Sequence, residues 1–228
     1  MSRTVVISGG TGALGRALLA RFLANGDRVV IPWIVKREVE ALETDQSVLV
    51  KGGRIALVEA DVAEEAGARK VAAAAPDAAV LVNAAGGFAG GSPLHETELE
   101  VWDRMYRMNV RTAVALSRAL LPGMLARRSG SIANIASRAA LESPAGLAAY
   151  ASAKRGVLTL SEVLQKEVAA QGVRVNTILP TTIDTPANRA AMPNADFSQW
   201  TAPALIGEVI FWLASDAGAT VRGGVIPV

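Results

Sequence analysis

Seven short runs rich in β-branched residues recur along this chain, separated by longer stretches patterned for helices, and no other feature narrows the fold as far. The runs are TVVIS (4–8), RVVIP (28–32), IALVEA (55–60), AAVLVNA (78–84), GSIANIAS (130–137), VRVNTILP (173–180) and GGVIPV (223–228). Between them lie helical stretches near 13–25, 36–44, 64–74, 98–126, 147–171 and 203–215. Strands that alternate with helices form β-α units around a parallel sheet. The pattern therefore predicts an α/β fold, a doubly wound parallel seven-stranded sheet with helices on both faces. No repeat, linker or low-complexity tract interrupts it, and 228 residues suffice for one core, so a single domain over 1–228 is expected.

Composition removes whole classes of chemistry. The chain has no cysteine, which excludes a disulfide framework or a thiolate metal site, and its one histidine, His95, excludes a histidine-based metal cluster. Catalysis is left to hydroxyls, lysine, carboxylates or a bound organic cofactor. A formal net charge of +2 and a pI near 9.2 reflect a slight excess of Lys and Arg, not a basic tail or stripe, so nucleic acid is not an expected partner. The opening MSRTVVISGG lacks the charged-then-apolar pattern of a signal peptide, and no run of about 18 uncharged apolar residues appears. The expectation is a soluble, cytoplasmic protein with no membrane partner.

The first strand runs into SGGTGALGRALL, where Gly10, Gly12 and Gly15 fit the pattern G-x-G-x-x-G between a strand and a helix. Glycine there permits the tight turn, lets backbone approach a pyrophosphate and lets the helix pack near the sheet, while the helix N-terminus presents N–H donors and a positive dipole end. In this setting the loop reads as the dinucleotide site of a Rossmann sheet. A P-loop is excluded because Arg16 and Ala17 follow Gly15, where Lys and then Ser or Thr are needed. A methyltransferase shares such glycines but has no use for the residue pair that comes next.

Tyr150 and Lys154 stand one helical turn apart in AAYASAKRG and so share a helix face. A free phenol, with a pKa of about 10, exchanges protons poorly at neutral pH, and a neighbouring ammonium is expected to lower that value. Ser137 closes the preceding strand thirteen residues earlier, on the same carboxyl-terminal rim of the sheet as the glycine loop. Tyr-x-x-x-Lys alone fits an ordinary helix surface equally well. Beside a dinucleotide loop and Ser137, the three groups become candidates for proton transfer.

With these residues in hand, the chain resembles the short-chain dehydrogenase/reductase family over essentially its whole length. The resemblance rests on SGGTGALG (8–15), DV (61–62), NAAG (83–86), MNV (108–110), Ser137, YASAK (150–154) and NTILPTTIDT (176–185). It implies an NAD(P)-dependent oxidoreductase whose cofactor is wrapped by Gly9, Gly10, Thr11, Gly12, Ala13, Leu14 and Gly15. It further implies that Asp61 and Val62 lie along the adenine, that Asn83, Ala84, Ala85 and Gly86 border the ribose, and that Pro180, Ile183 and Thr185 border the nicotinamide. Among the catalytic groups, it implies that Asn109 holds a water in a proton relay, Ser137 binds the substrate carbonyl, Tyr150 is the acid/base, and Lys154 lowers the tyrosine pKa and bonds the nicotinamide ribose. No metal is implied. Two departures stand out: Ala13 replaces a glycine of the loop, and Thr181 follows Pro180 where glycine is usual.

For the adenosine end, an acid at the end of the second strand would bond the 2′-hydroxyl of NAD. Trp33 occupies the position eighteen residues beyond Gly15, and Arg16, Lys36 and Arg37 are close in sequence, so the reading leans toward NADP(H) over NAD(H), with Lys36 and Arg37 as solvated helix-start charges the alternative. Trp33 can instead stack on adenine. Residues 183–200 and AGGFAGG (85–91) resemble the dihydropteridine reductase branch, although Ser137 and the missing acid depart from it. Phe88, Met192, Phe197 and Trp200 are candidate pocket walls for a small-molecule substrate, with plain packing the equal alternative for each, and His95 with Glu96 reads as a helix-start cap. The apolar helices near 98–126 and 147–171 exceed what one sheet face needs, and the resemblance implies tetramers formed through them, so a homo-oligomer, dimer or tetramer, is expected, with a monomer the alternative. Two other functions stay open on sequence alone: a catalytically silent nucleotide-sensing regulator, and a scaffold that binds no nucleotide.

Overall fold

A computed structural model describes residues 2–228, with every side chain among them except that of Val48. Seven parallel strands, β1 (Thr4–Ser8), β2 (Arg28–Trp33), β3 (Ile55–Glu59), β4 (Ala78–Asn83), β5 (Gly130–Ile135), β6 (Val173–Leu179) and β7 (Val225–Pro227), form one sheet in the order β3-β2-β1-β4-β5-β6-β7. The doubly wound seven-stranded expectation is met. The chain builds outward from β1 to β3, then crosses back to lay β4 on the other side of β1. That reversal opens a crevice between β1 and β4 beyond their carboxyl ends, the usual ligand position in such sheets.

Successive residues of β1 serve opposite faces. Val5 and Ile7 pack with Leu18 and Phe22 of α1 (Ala13–Ala24) and Ile206 and Ile210 of α10 (Pro203–Leu213), whereas Val6 packs with Leu116 and Met124 of α6 (Thr112–Arg127) and Val168 of α8 (Ala148–Val168). Both faces of the sheet are therefore covered, and burial of each such side chain contributes roughly 1.5–3 kcal/mol. The remaining helices are α2 (Lys36–Asp45), α3 (Ser47–Lys51), α4 (Glu65–Ala74), α5 (Leu99–Tyr106), α7 (Ala139–Glu142) and α9 (Pro186–Ala191). None of the helices described is long and apolar enough to cross a membrane.

Three local expectations change. The helix expected over 98–126 is not continuous: α5 and α6 are joined by a π-helical turn, Arg107–Arg111, with Asn109 in its middle. The wider i→i+5 bonding of such a turn rotates the side chains it carries, and such turns recur at functional sites. The fifth strand stops at Ile135, so Ser137 sits two residues past its end, where Ala136 still donates to the Ile178 carbonyl at 2.9 Å. His95 and Glu96 do not cap α5: they form a separate 3₁₀ turn, Leu94–Glu96, closed by the Thr97 hydroxyl donating to the Pro93 carbonyl at 3.0 Å.

Candidate active site

A cleft of about 700 Å³ lies at the β1/β4 crossover. Gly9, Thr11, Gly12, Ala13, Leu14 and Gly15 form its floor, with Trp33, Asp61 and Val62 toward β2 and β3 and Ala84, Ala85, Gly86 and Thr185 on the opposite side. Most of the expected cofactor residues are thus brought to one surface. The glycines divide by role. A Cβ on Gly15 would come within 2.0 Å of the Gly9 carbonyl, and one on Gly10 within 2.8 Å of Ile31, so these two serve helix and strand packing, and Gly10 is not on the cleft wall. Gly12 differs, because a Cβ there would meet nothing nearer than 3.5 Å. It caps α1 through backbone alone, with no side chain covering the first-turn N–H groups. That leaves donors and a positive dipole end for an anion.

Other expected residues lie elsewhere. Asn83 is buried and turned away from the cleft. Its Nδ2 donates to Asn134 Oδ1 at 2.7 Å and to Ser117 Oγ at 3.3 Å, and Asn134 in turn donates to Ser161 Oγ at 2.8 Å. The period-2 alternation of β4 explains this, since only after the strand ends does backbone at Ala84 to Gly86 face the crevice. Pro180 is buried at the end of β6 with its carbonyl accepting from Arg138 N at 3.1 Å. Ile183 bridges to Thr201, and its carbonyl accepts from Asn188 Nδ2 at 2.8 Å, so neither Pro180 nor Ile183 is on the cleft wall.

The basic residues expected to meet a 2′-phosphate are also displaced. Arg16 pairs with Asp45 at 2.7 Å and Lys36 with Glu40 at 3.7 Å, and neither they nor exposed Arg37 line the cleft. The wall there is instead Ile34, Val35 and Glu38, with Glu38 Oε2 accepting from the Thr11 hydroxyl at 2.6 Å. Glu38 was missed because the strand-end position is Trp33, and the acid arrives from the first turn of α2.

None of the four expected catalytic residues lines the cleft itself, but Asn109 and Lys154 pack against Gly86, and Tyr150 stands one turn before Lys154 in contact with Ser137. Lys154 is buried, and its Nζ donates to the Ile135 carbonyl at 3.0 Å. Asn109, also buried, donates from Nδ2 to the Gly87 carbonyl at 3.1 Å and the Met105 carbonyl at 2.9 Å, while its Oδ1 accepts from Gly87 N at 3.3 Å. A Cβ on Gly86 would stand 2.6 Å from Asn109 Oδ1 and 3.3 Å from Lys154 Nζ, so glycine lets the loop thread between these two side chains. Phe88 packs edge-on against Tyr150 at 4.9 Å. The small residues of AAYASAKRG also find a use, since Gly156 admits Val110 of the π turn to 3.1 Å from where a Cβ would be.

Burial dominates the electrostatics of the site. Burial pushes the Tyr150 phenol above its ordinary value, and a hydrogen bond with the Ser137 hydroxyl acts the other way. Lys154 Nζ lies 5.9 Å from the Tyr150 ring centroid and donates to the Ile135 carbonyl, and burial brings its own pKa down to about 8. The ammonium is still the main form at neutral pH, and burial brings its loss of a proton within about one pH unit above.

Residues 3–196 match the family model for short chain dehydrogenase. The chain is 36% identical over 194 residues to 2-(R)-hydroxypropyl-CoM dehydrogenase of Xanthobacter autotrophicus, an alignment covering 82% of this chain and 76% of that protein. Among solved structures, an oxidoreductase of the short chain dehydrogenase/reductase family from Burkholderia thailandensis superimposes with a TM-score of 0.88 at 30% identity, covering 100% of this chain and 91% of that one. A blue fluorescent protein from a metagenomic library, solved with NADPH, gives a TM-score of 0.85 at 26% identity, with 99% and 96% covered. The chain belongs to the short-chain dehydrogenase/reductase family and is an NAD(P)-dependent oxidoreductase.

Proposed function

We propose that Tyr150 exchanges a proton with the oxygen of a small carbonyl or alcohol substrate while Ser137 holds that oxygen, in one domain spanning the chain. The observation that carries this is the packing of Asn109 and Lys154 against Gly86, which lines the cleft floored by the glycine loop, with Tyr150 one turn before Lys154 and hydrogen-bonded to Ser137. The cleft fits a nicotinamide dinucleotide: Gly12 leaves open space over uncapped N–H groups of α1, and Gly86 keeps the path beside Lys154 clear. When bound, the dinucleotide supplies or removes the hydride.

The chain's own residues do the rest. Ser137, by donating to the phenolate, stabilises the form of Tyr150 that accepts a proton from an alcohol. Phe88 shields one side of the phenol from water. Asn109 and Lys154, which are both buried, offer polar atoms for a water or ribose hydroxyl next to Gly86.

We further infer that the cofactor is NAD(H), which reverses the lean toward NADP(H). Glu38 is a carboxylate on the cleft wall beside Thr11, suited to a ribose hydroxyl and repellent to a phosphate, while Arg16 and Lys36 are engaged by Asp45 and Glu40. Exposed Leu99, Tyr106 and Val163 on α5, the π turn's edge and α8 support a homo-oligomer, dimer or tetramer. Quinonoid dihydropterin reduction, nucleotide sensing without turnover and scaffolding have no specific observation in their favour.

The test is paired. Turnover of Tyr150→Phe, measured on the best substrate of a carbonyl and alcohol panel, is expected to fall at least about 100-fold, as loss of a general acid/base does. Retention of more than about a tenth of wild-type turnover refutes the proton-transfer role. Titrating NADH against NADPH in wild type and Glu38→Gln is expected to show NADH preference in the first and a narrowed gap in the second. Tighter NADPH binding by the wild type refutes the Glu38 assignment.

A further inference from the structure

The π turn that carries Asn109 also carries two arginines, and both reach the opposite wall of the cleft. Arg107 Nη2 meets Asp61 Oδ2 at 2.8 Å, and its Nη1 meets Glu64 Oε1 at 2.6 Å. Arg111 Nη2 meets Glu64 Oε2 at 3.3 Å, while its Nε donates to the Ala63 carbonyl at 2.6 Å. Asp61 is fixed in turn, since its Oδ1 accepts from Ala63 N at 2.9 Å. Asp61, Ala63 and Arg107 all line the cleft. One five-residue turn is thus fastened on its outer side to the β3–α4 loop and on its inner side, through Asn109, to Gly87, with Gly86 against Asn109 Oδ1.

Such a fastening does little for stability. The four ion-pair side chains are each roughly half exposed, and exposed pairs are typically worth about 0–1 kcal/mol. Its geometry has a use that stability does not require. The arginines bracket Asn109 at i−2 and i+2, and a π turn is a local irregularity that can shift without unfolding the helices beside it. Anything that orders the loop at 61–64 pulls on Arg107 and Arg111, and so on the residue between them.

We infer that Arg107 and Arg111 are positioning residues that transmit occupancy of the β3 end of the cleft to Asn109 and the Gly86–Gly87 backbone. The inference rests on the proposed cofactor cleft, in that the ligand's adenosine half occupies the β3 end. It predicts coupling between two ends of one ligand, in which the half that carries no chemistry sets the geometry at the half that does.

The experiment is amide hydrogen exchange on the full chain, free and saturated with ADP-ribose, which lacks the nicotinamide. In wild type, ADP-ribose is expected to slow exchange at 61–64, at 107–111 and at 86–87, the last two by about fivefold or more, the lower end of ordinary site-to-site coupling. In Arg107→Met/Arg111→Met at matched saturation, protection at 61–64 persists while that at 107–111 and 86–87 is lost. Arg107→Lys/Arg111→Lys restores part of it, because an ammonium lacks the fork that spans Asp61 and Glu64. A merely structural role gives a different result: faster exchange at 107–111 in the free variant with the ligand-induced ratio unchanged, and that result overturns the inference. So does a wild type in which ADP-ribose protects 61–64 alone. A separate fluorescence titration with NADH keeps the two proposals apart. If wild type binds neither NADH nor, in a parallel titration, NADPH, the cofactor cleft itself is refuted and this inference falls with it, whereas binding without protection at 107–111 refutes the coupling alone.

Discussion

Gly86→Ala isolates the packing on which the candidate site depends. Gly86 is not in the left-handed region of backbone space, so alanine costs nothing through φ, and the whole effect comes from where the methyl goes. It would stand 2.6 Å from Asn109 Oδ1, a separation that carbon and oxygen do not tolerate, so Asn109 must withdraw. Three hydrogen bonds resist: to Gly87 O at 3.1 Å, from Gly87 N at 3.3 Å and to Met105 O at 2.9 Å. The two to Gly87 move with the loop and are the ones lost. At about 1 kcal/mol net for each bond, the expected cost is about 2 kcal/mol. For a chain of this size that lowers Tm by roughly 4–8 °C. Thermal and urea melts of wild type, Gly86→Ala, Asn109→Ala and the double variant form a closed cycle. Because Asn109→Ala removes the oxygen that the methyl strikes, the Gly86→Ala cost should shrink in that background, giving a coupling of about 1–2 kcal/mol. Equal costs in both backgrounds, within about 0.5 kcal/mol, refute the claim that Gly86 is glycine on account of Asn109.

Two glycines of the first loop, the buried lysine and the Asn83–Asn134–Ser161 hydrogen bonds give further expectations. Gly15→Ala drives a methyl to 2.0 Å from the Gly9 carbonyl and should abolish cooperative melting, whereas Gly12→Ala meets nothing nearer than 3.5 Å and should melt like wild type. Gly12→Ala should still weaken NADH at least about tenfold, a loss of 1.4 kcal/mol, by fluorescence titration. Lys154, with a folded pKa of about 8, lies below its unfolded value, so between roughly pH 8 and 10.4 the unfolded chain binds the extra proton. The cofactor-free protein should therefore gain stability as pH rises through that window, by at most about 1.4 kcal/mol per pH unit, and lose this gain in Lys154→Met. The raised Tyr150 pKa opposes it only once the unfolded phenol ionises, above about pH 10. Asn134→Leu removes the acceptor for Asn83 and the donor to Ser161 at a fully buried position, and should cost roughly 2–4 kcal/mol in urea denaturation.

What the sequence made legible is what local pattern controls. Val5, Val6 and Ile7 are all apolar because both faces of β1 are covered, and that run announces a parallel sheet before any coordinate is known. Gly12, Gly15 and the Tyr150–Lys154 spacing are legible for the same reason, since turn and helix geometry fix them within a few residues. The misreadings share a different cause. Asn83 carries a family motif, but its direction is set by strand alternation against Ser117 and Asn134, which come from distant parts of the chain. Glu38 meets the Thr11 hydroxyl on the cleft wall from α2, and Arg16 lies off that wall paired with Asp45, contacts between segments far apart in sequence. MYRMNVR looks like uninterrupted helix, since a π turn changes backbone bonding and leaves no side-chain signature.

The electrostatics of Tyr150 and Lys154 bear on how the site can work. An i, i+4 lysine invites the inference that its charge lowers the tyrosine pKa, yet the same burial that raises the Tyr150 phenol also pulls Lys154 down to about 8. Coulomb attraction strengthens in a low-dielectric site only while the charge survives there, and desolvation acts first on the charge. Among the groups in place, Ser137 lowers the phenol, and the Ile135 carbonyl bonds the Lys154 ammonium. Acceptors added beside Gly86 favour the charged form of Lys154, and a charged Lys154 in turn favours the phenolate. On the proposed assignment of Tyr150 as the acid/base, the phenol gives up its proton more readily when an acceptor lies beside Lys154.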